Sequence, residues 1–158
     1  LLKVAMNLLK SFISASMLMV IAACSKNAPE ETVDSFPEGA YSGTMTVVYG
    51  GKENITNDVR VEVSYGEDGQ ADILFRDVKF VPQMPLTLTV TVPDVKCEQG
   101  EGGIILSGDG IVPLSGGLVP FPKFTVTSLS GRLSTGKLQL SLNFGEYPTS
   151  YSGVAFRD

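Results

Sequence analysis

Apolar residues fall at every second position through most of the chain after residue 39, and no other feature constrains the fold as much. Val59, Val61, Val63 and Tyr65 alternate with Arg60, Glu62 and Ser64. Ala71, Ile73 and Phe75 are interleaved with Asp72, Leu74 and Arg76. Leu86, Leu88, Val90 and Val92 alternate with threonines, and Leu138, Leu140, Leu142 and Phe144 with Lys137, Gln139, Ser141 and Asn143. Tyr41, Met45, Val47 and Tyr49 share one face of a first such run. Side chains of a strand point alternately to its two faces, so each run describes a strand with one face buried and one face wet. Gly50-Gly51, Gly66-Glu67-Asp68-Gly69, Gln99 to Gly103 and Ser134-Thr135-Gly136 separate the runs as turns. Between Ile104 and Arg132 the alternation is less regular, with one or two strands expected and a Pro/Gly-rich stretch from Pro113 to Pro122. About eight strands and no helix are expected. Joined mainly by tight turns, with one wet face each, they predict an all-β fold, a single antiparallel up-and-down barrel. A barrel pairs its first strand with its last, and Tyr41-Ser42-Gly43 opens the domain while Tyr151-Ser152-Gly153 closes it. Glycine inside a strand marks a sharp bend or a close backbone approach.

The segment before the strands reads differently. Residues 1–23 begin with Lys3 and Lys10 and continue into an apolar run from Phe12 to Ala23, broken by Ser14 and Ser16. The run is too short for the roughly 20 residues of a membrane-spanning helix and suits the apolar region of a signal peptide. It ends Val20-Ile21-Ala22-Ala23-Cys24, which closely resembles the lipobox of bacterial lipoproteins. The resemblance implies a diacylglyceryl group on the Cys24 thiol and cleavage that makes Cys24 the N-terminus. Residues 24–36 then form a lipid-bearing cysteine and a polar tether, and residues 37–158 the barrel domain. The expected location is the bacterial cell envelope, at the outer membrane, with either face open. The membrane is the expected partner, through the lipid anchor.

Composition removes several functions. The chain has 158 residues, enough for one domain. Its 12 Lys and Arg, less Lys3 and Lys10, leave 10 against 17 acids, a net −7 for the mature part. Such a domain repels phosphate backbones, so no nucleic acid is expected. Histidine is absent, which removes His-based catalysis and the commonest nitrogen ligand of zinc. No nucleophile elbow, phosphate loop or dinucleotide fingerprint occurs. The acids at Glu67-Asp68 and Asp109 read as turn residues rather than calcium ligands. No enzyme, metal or cofactor is expected. Cys97 reads as a small apolar filler.

Gly39, Tyr41 and Gly43 lead into Met45-Thr46-Val47, Ala71-Asp72-Ile73-Leu74-Phe75 runs on to Phe80, and Leu129-Ser130-Gly131-Arg132-Leu133 precedes Gly136-Lys137-Leu138-Gln139-Leu140. Together these motifs resemble the calycin-like β-barrel lipoproteins of Gram-negative gut anaerobes, over roughly residues 37–156. The resemblance implies a calycin- or lipocalin-like barrel in the envelope. The chain has no Trp, so the short lipocalin Gly-x-Trp signature is missing. Two functions follow. In the first, the barrel is a cup for one small apolar ligand, lined by Val61, Val63, Leu88, Val90, Leu140 and Leu142 and rimmed by Phe121 and Phe124. In the second, side chains fill the barrel, and the protein acts as a structural or interaction component through its outer surface. An eight-stranded barrel is wide enough for either.

Overall fold

The computed structural model describes residues 39–66 and 68–156; the leader, Cys24 and the tether lie outside them. Ten strands follow in order: β1 (Gly39–Tyr49), β2 (Lys52–Tyr65), β3 (Gln70–Val78), β4 (Leu88–Gly100), β5 (Gly103–Gly108), β6 (Leu114–Ser115), β7 (Val119–Pro120), β8 (Val126–Ser134), β9 (Lys137–Phe144) and β10 (Tyr147–Phe156), with one 3-10 turn at Pro122–Phe124. Eight of them, β1 to β5 and β8 to β10, pair antiparallel around a closed ring: β3 pairs with β4, and β1 with β10. The short hairpin β6–β7 is a side branch on β4, at Val90↔Ser115 and Thr91↔Leu114. The irregular stretch between residues 104 and 132 thus holds two wall strands and this hairpin.

Alternation sets which face is inside. Val59, Val61, Val63, Ala71, Ile73, Phe75, Val90, Val92, Leu138, Leu140, Leu142 and Phe144 are all buried in one core. Two expected members depart from it. Leu86 is 74% exposed because it lies two residues before β4 begins, where the chain has not yet joined the ladder. Tyr49, at the hairpin end of β1, is 37% exposed and packs its ring on Tyr147, 5.9 Å between centroids. Gly50 and Gly51 both have positive φ, 60° and 74°, which lets Tyr49 pair with Lys52 across a two-residue turn matching the strand twist.

The seam closes at the two glycines of the repeated Tyr-Ser-Gly. Gly43 lies opposite Gly153, with Met45 opposite Tyr151. A Cβ on Gly43 would stand 2.0 Å from the Ser152 carbonyl oxygen, so the two backbones leave no space for any side chain there. The Tyr151 ring lies over Gly153, where a Cβ would meet its Oη at 2.4 Å. Its hydroxyl reaches across the seam and donates to the Val59 carbonyl at 2.9 Å.

Four bulges bend the wall, each at a residue other than glycine in the left-handed region: Asp58, Asp77, Asp94 and Ser128, with φ from 51° to 57°. Each coincides with a register shift. The extra residue turns the step between inward side chains from two to three: Phe75 to Val78, Val92 to Val95 and Val126 to Leu129 are all buried pairs. Aspartate side chains from the neighbouring part of the wall take amide hydrogens that the ladder leaves over. Asp94 N–H donates to Asp72 Oδ1 (3.1 Å), and Ser128 N–H to Asp109 Oδ1 (3.0 Å). Pro93 is tolerated inside β4 because it sits at such a bulge.

Candidate functional site: the barrel interior and its mouth

The eight residues expected to line and rim a cup divide by depth. Val61 and Val90 are 0% exposed, Val63 and Leu140 3%, Leu142 2% and Phe124 6%. Leu88 and Phe121 are half-buried and pack against the same core. The structure therefore brings all eight to one apolar cluster. The remaining lining is equally closed: Ile73, Phe75, Val92, Val95, Leu106, Val126, Leu138 and Phe144 are all 0% exposed. An internal void as large as a water molecule would leave accessible area on the side chains around it. These side chains have none, so they are in contact with other atoms on all sides.

Aromatic rings do much of the filling. Tyr151 stacks edge-on to Phe75 (6.3 Å between centroids), Phe75 edge-on to Phe144 (5.3 Å), and Phe144 against Phe80 (4.6 Å). Phe80 meets Phe124 at 4.6 Å, and Phe124 meets Phe121 at 4.7 Å. This unbroken file of rings runs from the middle of the barrel to its mouth. Phe80 comes from the β3–β4 loop and is 0% exposed, so it acts as a stopper above Phe144. Sequence reasoning placed Phe80 only at the end of a strand motif. Its signal was an isolated aromatic next to Pro82 and Pro85, in a loop that must cross the barrel end.

The outer wall is polar. Thr46, Ser150, Ser141, Ser130 and Ser107 form one cross-strand row over β1, β10, β9, β8 and β5. Shallow grooves of ≈ 190 Å³ over Thr46, Asn143 and Ser150, and ≈ 300 Å³ over Ser130, Arg132 and Gln139, open on that wall. A third, ≈ 380 Å³, lies between the upper part of β2 and Lys79–Pro82. Apolar inside and hydroxyl-rich outside is the reverse of a barrel that crosses a membrane with its strands. Glu62 bridges Arg76 (3.0 Å) and Arg60 (3.0 Å), and its hydrogen bond to Arg76 leads in holding the carboxyl below its ordinary range. Burial pushes the Tyr41 and Tyr151 phenols and the Cys97 thiol up. The half-buried Cys97 thiol lies 3.6 Å from the Val95 carbonyl and packs against the core. Among the described residues, no three His, Cys, Asp or Glu side chains gather to hold a metal ion.

Comparison with known proteins agrees with this architecture. A crystal structure of a protein from Bacteroides fragilis, provisionally assigned to the outer membrane, superposes with a TM-score of 0.54 at 18% identity, over 74% of this chain and 50% of that one. The chain thus spans about half the length of that neighbour, and at this identity the likeness is one of fold. No curated protein matches the sequence. The pattern of the calycin-like β-barrel domain matches residues 38–154, from the residue before β1 to the inward-outward alternation at the end of β10, and the chain belongs to that family.

Proposed function

We propose that the chain is a lipid-anchored envelope protein, held through Cys24, whose barrel is filled by its own side chains and which acts through its exterior as a structural or interaction component. The absence of accessible area on Val61, Val90, Phe75 and Phe144 carries this reading. A ligand of drug size needs a cleft of about 300 Å³ or more, and a core closed in this way has to be emptied before it admits one. The fold class favours a second reading, since calycin-like barrels often bind small apolar molecules. In that reading Phe80 and Phe124 swing aside and Val61, Val63, Leu88, Val90, Phe121, Phe124, Leu140 and Leu142 form the pocket.

Titration with an apolar fluorescent dye, on the unmodified barrel and on Leu140→Trp, separates the two. A filled barrel gives no saturable dye uptake, and the added indole overpacks the core and costs about 1–3 kcal/mol in urea unfolding. Saturable uptake that Leu140→Trp abolishes, with stability unchanged, establishes the carrier instead.

A further inference from the structure

A short loop closes the mouth of the barrel, and one methionine latches it. β3 ends at Val78 and β4 begins at Leu88. Between them Phe80 turns its ring into the barrel, 4.6 Å from the rings of both Phe124 and Phe144, and is 0% exposed. Two hydrogen bonds hold the segment from Phe80 to Leu86, and Met84 takes part in both. Its N–H donates to the Val81 carbonyl at 3.2 Å, closing a turn over Pro82 and Gln83. Its side chain folds back over that turn, and Sγ accepts the Phe80 N–H at 3.3 Å. A thioether is a weak acceptor, yet it is the partner of the stopper's own amide. The outer side of the segment is not packed on the wall. A groove of ≈ 380 Å³ lies between Lys79, Val81 and Pro82 and the Asn54–Thr56 stretch of β2.

We propose that Met84 is an oxidation site for hydroperoxides, and that its oxidation releases Phe80 from the mouth. A sulfur lone pair attacks one peroxide oxygen, the O–O bond breaks and an S–O bond forms. With hydrogen peroxide, a proton passes to the leaving oxygen and water departs; sulfur gives up the two electrons that the peroxide gains. Among the described residues there are two methionines, in unlike surroundings. Met45 is 2% exposed inside the core, whereas Met84 is half-buried and packs on that core from the loop. Oxidant therefore reaches Met84 first. At 3.3 Å no space remains for an oxygen between Sγ and the Phe80 nitrogen. The sulfoxide is also polar, and no longer suits a place against apolar side chains. The oxidised side chain turns outward to water, the Phe80 amide loses its acceptor, and the groove beside β2 gives the loop room to move. Release uncovers Phe124 and Phe144, so the oxidised barrel presents an apolar mouth that the reduced one hides. The proposal goes beyond the reading of the interior as filled, since it names the chemistry that opens the mouth.

The test uses the unit Phe36–Asp158, which has its own closed sheet and core, treated with hydrogen peroxide. Peptide mass spectrometry, amide hydrogen exchange at Phe80 and an apolar fluorescent dye follow the reaction. The expected result is one oxygen on Met84 with Met45 unchanged, and exchange at Phe80 faster by about tenfold or more. Dye binding that the reduced barrel lacks should appear with it. A thiol-dependent methionine sulfoxide reductase should reverse all three changes. Met84→Leu keeps the apolar packing and Cys97 but has no sulfur at position 84, so peroxide should alter neither its Phe80 exchange nor its dye binding. The proposal is overturned if Met45 is oxidised as readily as Met84, or if the Met84 sulfoxide forms and Phe80 exchange is unchanged or slower. It is also overturned if Met84→Leu responds to peroxide as the unmodified barrel does. Dye uptake before any peroxide would remove the filled-barrel reading alone; exchange at Phe80 would then still decide this one.

Discussion

At the level of single residues, the barrel depends on places where a side chain is missing. Gly43 faces backbone atoms of Ser152 and Gly153, which cannot step aside, whereas Gly153 faces the Tyr151 ring, which can shift. Gly43→Ala should therefore cost about 3 kcal/mol, and Gly153→Ala less, by urea unfolding; equal costs would mean that the seam relaxes. Tyr151 contributes twice, as the ring covering Gly153 and as the donor to Val59 O. Its phenol and that of Tyr41 are pushed above their ordinary range by burial. The unfolded chain therefore loses these protons first as pH rises, and the contribution of the two phenols should be intact below about pH 10 and fall above it. With no histidine in the chain, the curve should be flat from about pH 6 to 8, and the Cys97 thiol, pushed up by burial, should begin a shallow fall from about pH 8.5. Tyr151→Phe should leave the Val59 carbonyl without its partner, costing about 1–3 kcal/mol at neutral pH, and should make the alkaline fall shallower. Unfolding midpoints across pH check both points.

At the level of elements, much of the wall was legible because one physical rule, a buried face every second residue, holds along most strands. Val59 to Tyr65, Ala71 to Phe75 and Leu138 to Phe144 follow it without interruption, and the shared Tyr-Ser-Gly pointed to the seam. The rule fails wherever a bulge adds a residue. Val126 and Leu129 are both inward across Ser128, so period-two reading loses its phase there, in the region where the strands were hardest to place. A sign of the bulges was present all the same. All three Asp-Val dipeptides, at 58–59, 77–78 and 94–95, are bulges with Asp at positive φ and Val inward. Asp is one of the residues that tolerates this region, and β-branched side chains are not. Ser128→Val should accordingly cost about 2 kcal/mol by urea unfolding, and Ser128→Gly little or nothing. A tolerated valine would show that the β8 bulge can be moved along the strand. The hairpin β6–β7 was not legible: two residues per strand are too short for any period, and β4 supplies the pairing that holds them.

At the level of the whole molecule, strand count left two outcomes open, a hollow barrel and a filled one. Two residues just outside the wall strands, Phe80 after β3 and Phe124 before β8, favour the filled one. Phe80 and Phe124 close the mouth over Phe144 and Phe75, and the aliphatic side chains of the core below are 4% exposed or less. The eight candidate lining residues all lie in the apolar cluster, but alternation describes only direction; whether facing side chains meet depends on how far the bulges and inward glycines such as 43, 131 and 153 let the strands approach. On the filled-barrel reading, the hydroxyl-rich wall turns the search for function to the outside of the protein. The central claim, that the interior is full, is tested most directly by diffraction from crystals of the barrel held under xenon, an atom that enters dry apolar voids. A filled barrel predicts no xenon inside the ring of strands. A well-occupied xenon site among Val61, Val90, Leu140 and Leu142 would contradict the claim and return the carrier reading to first place.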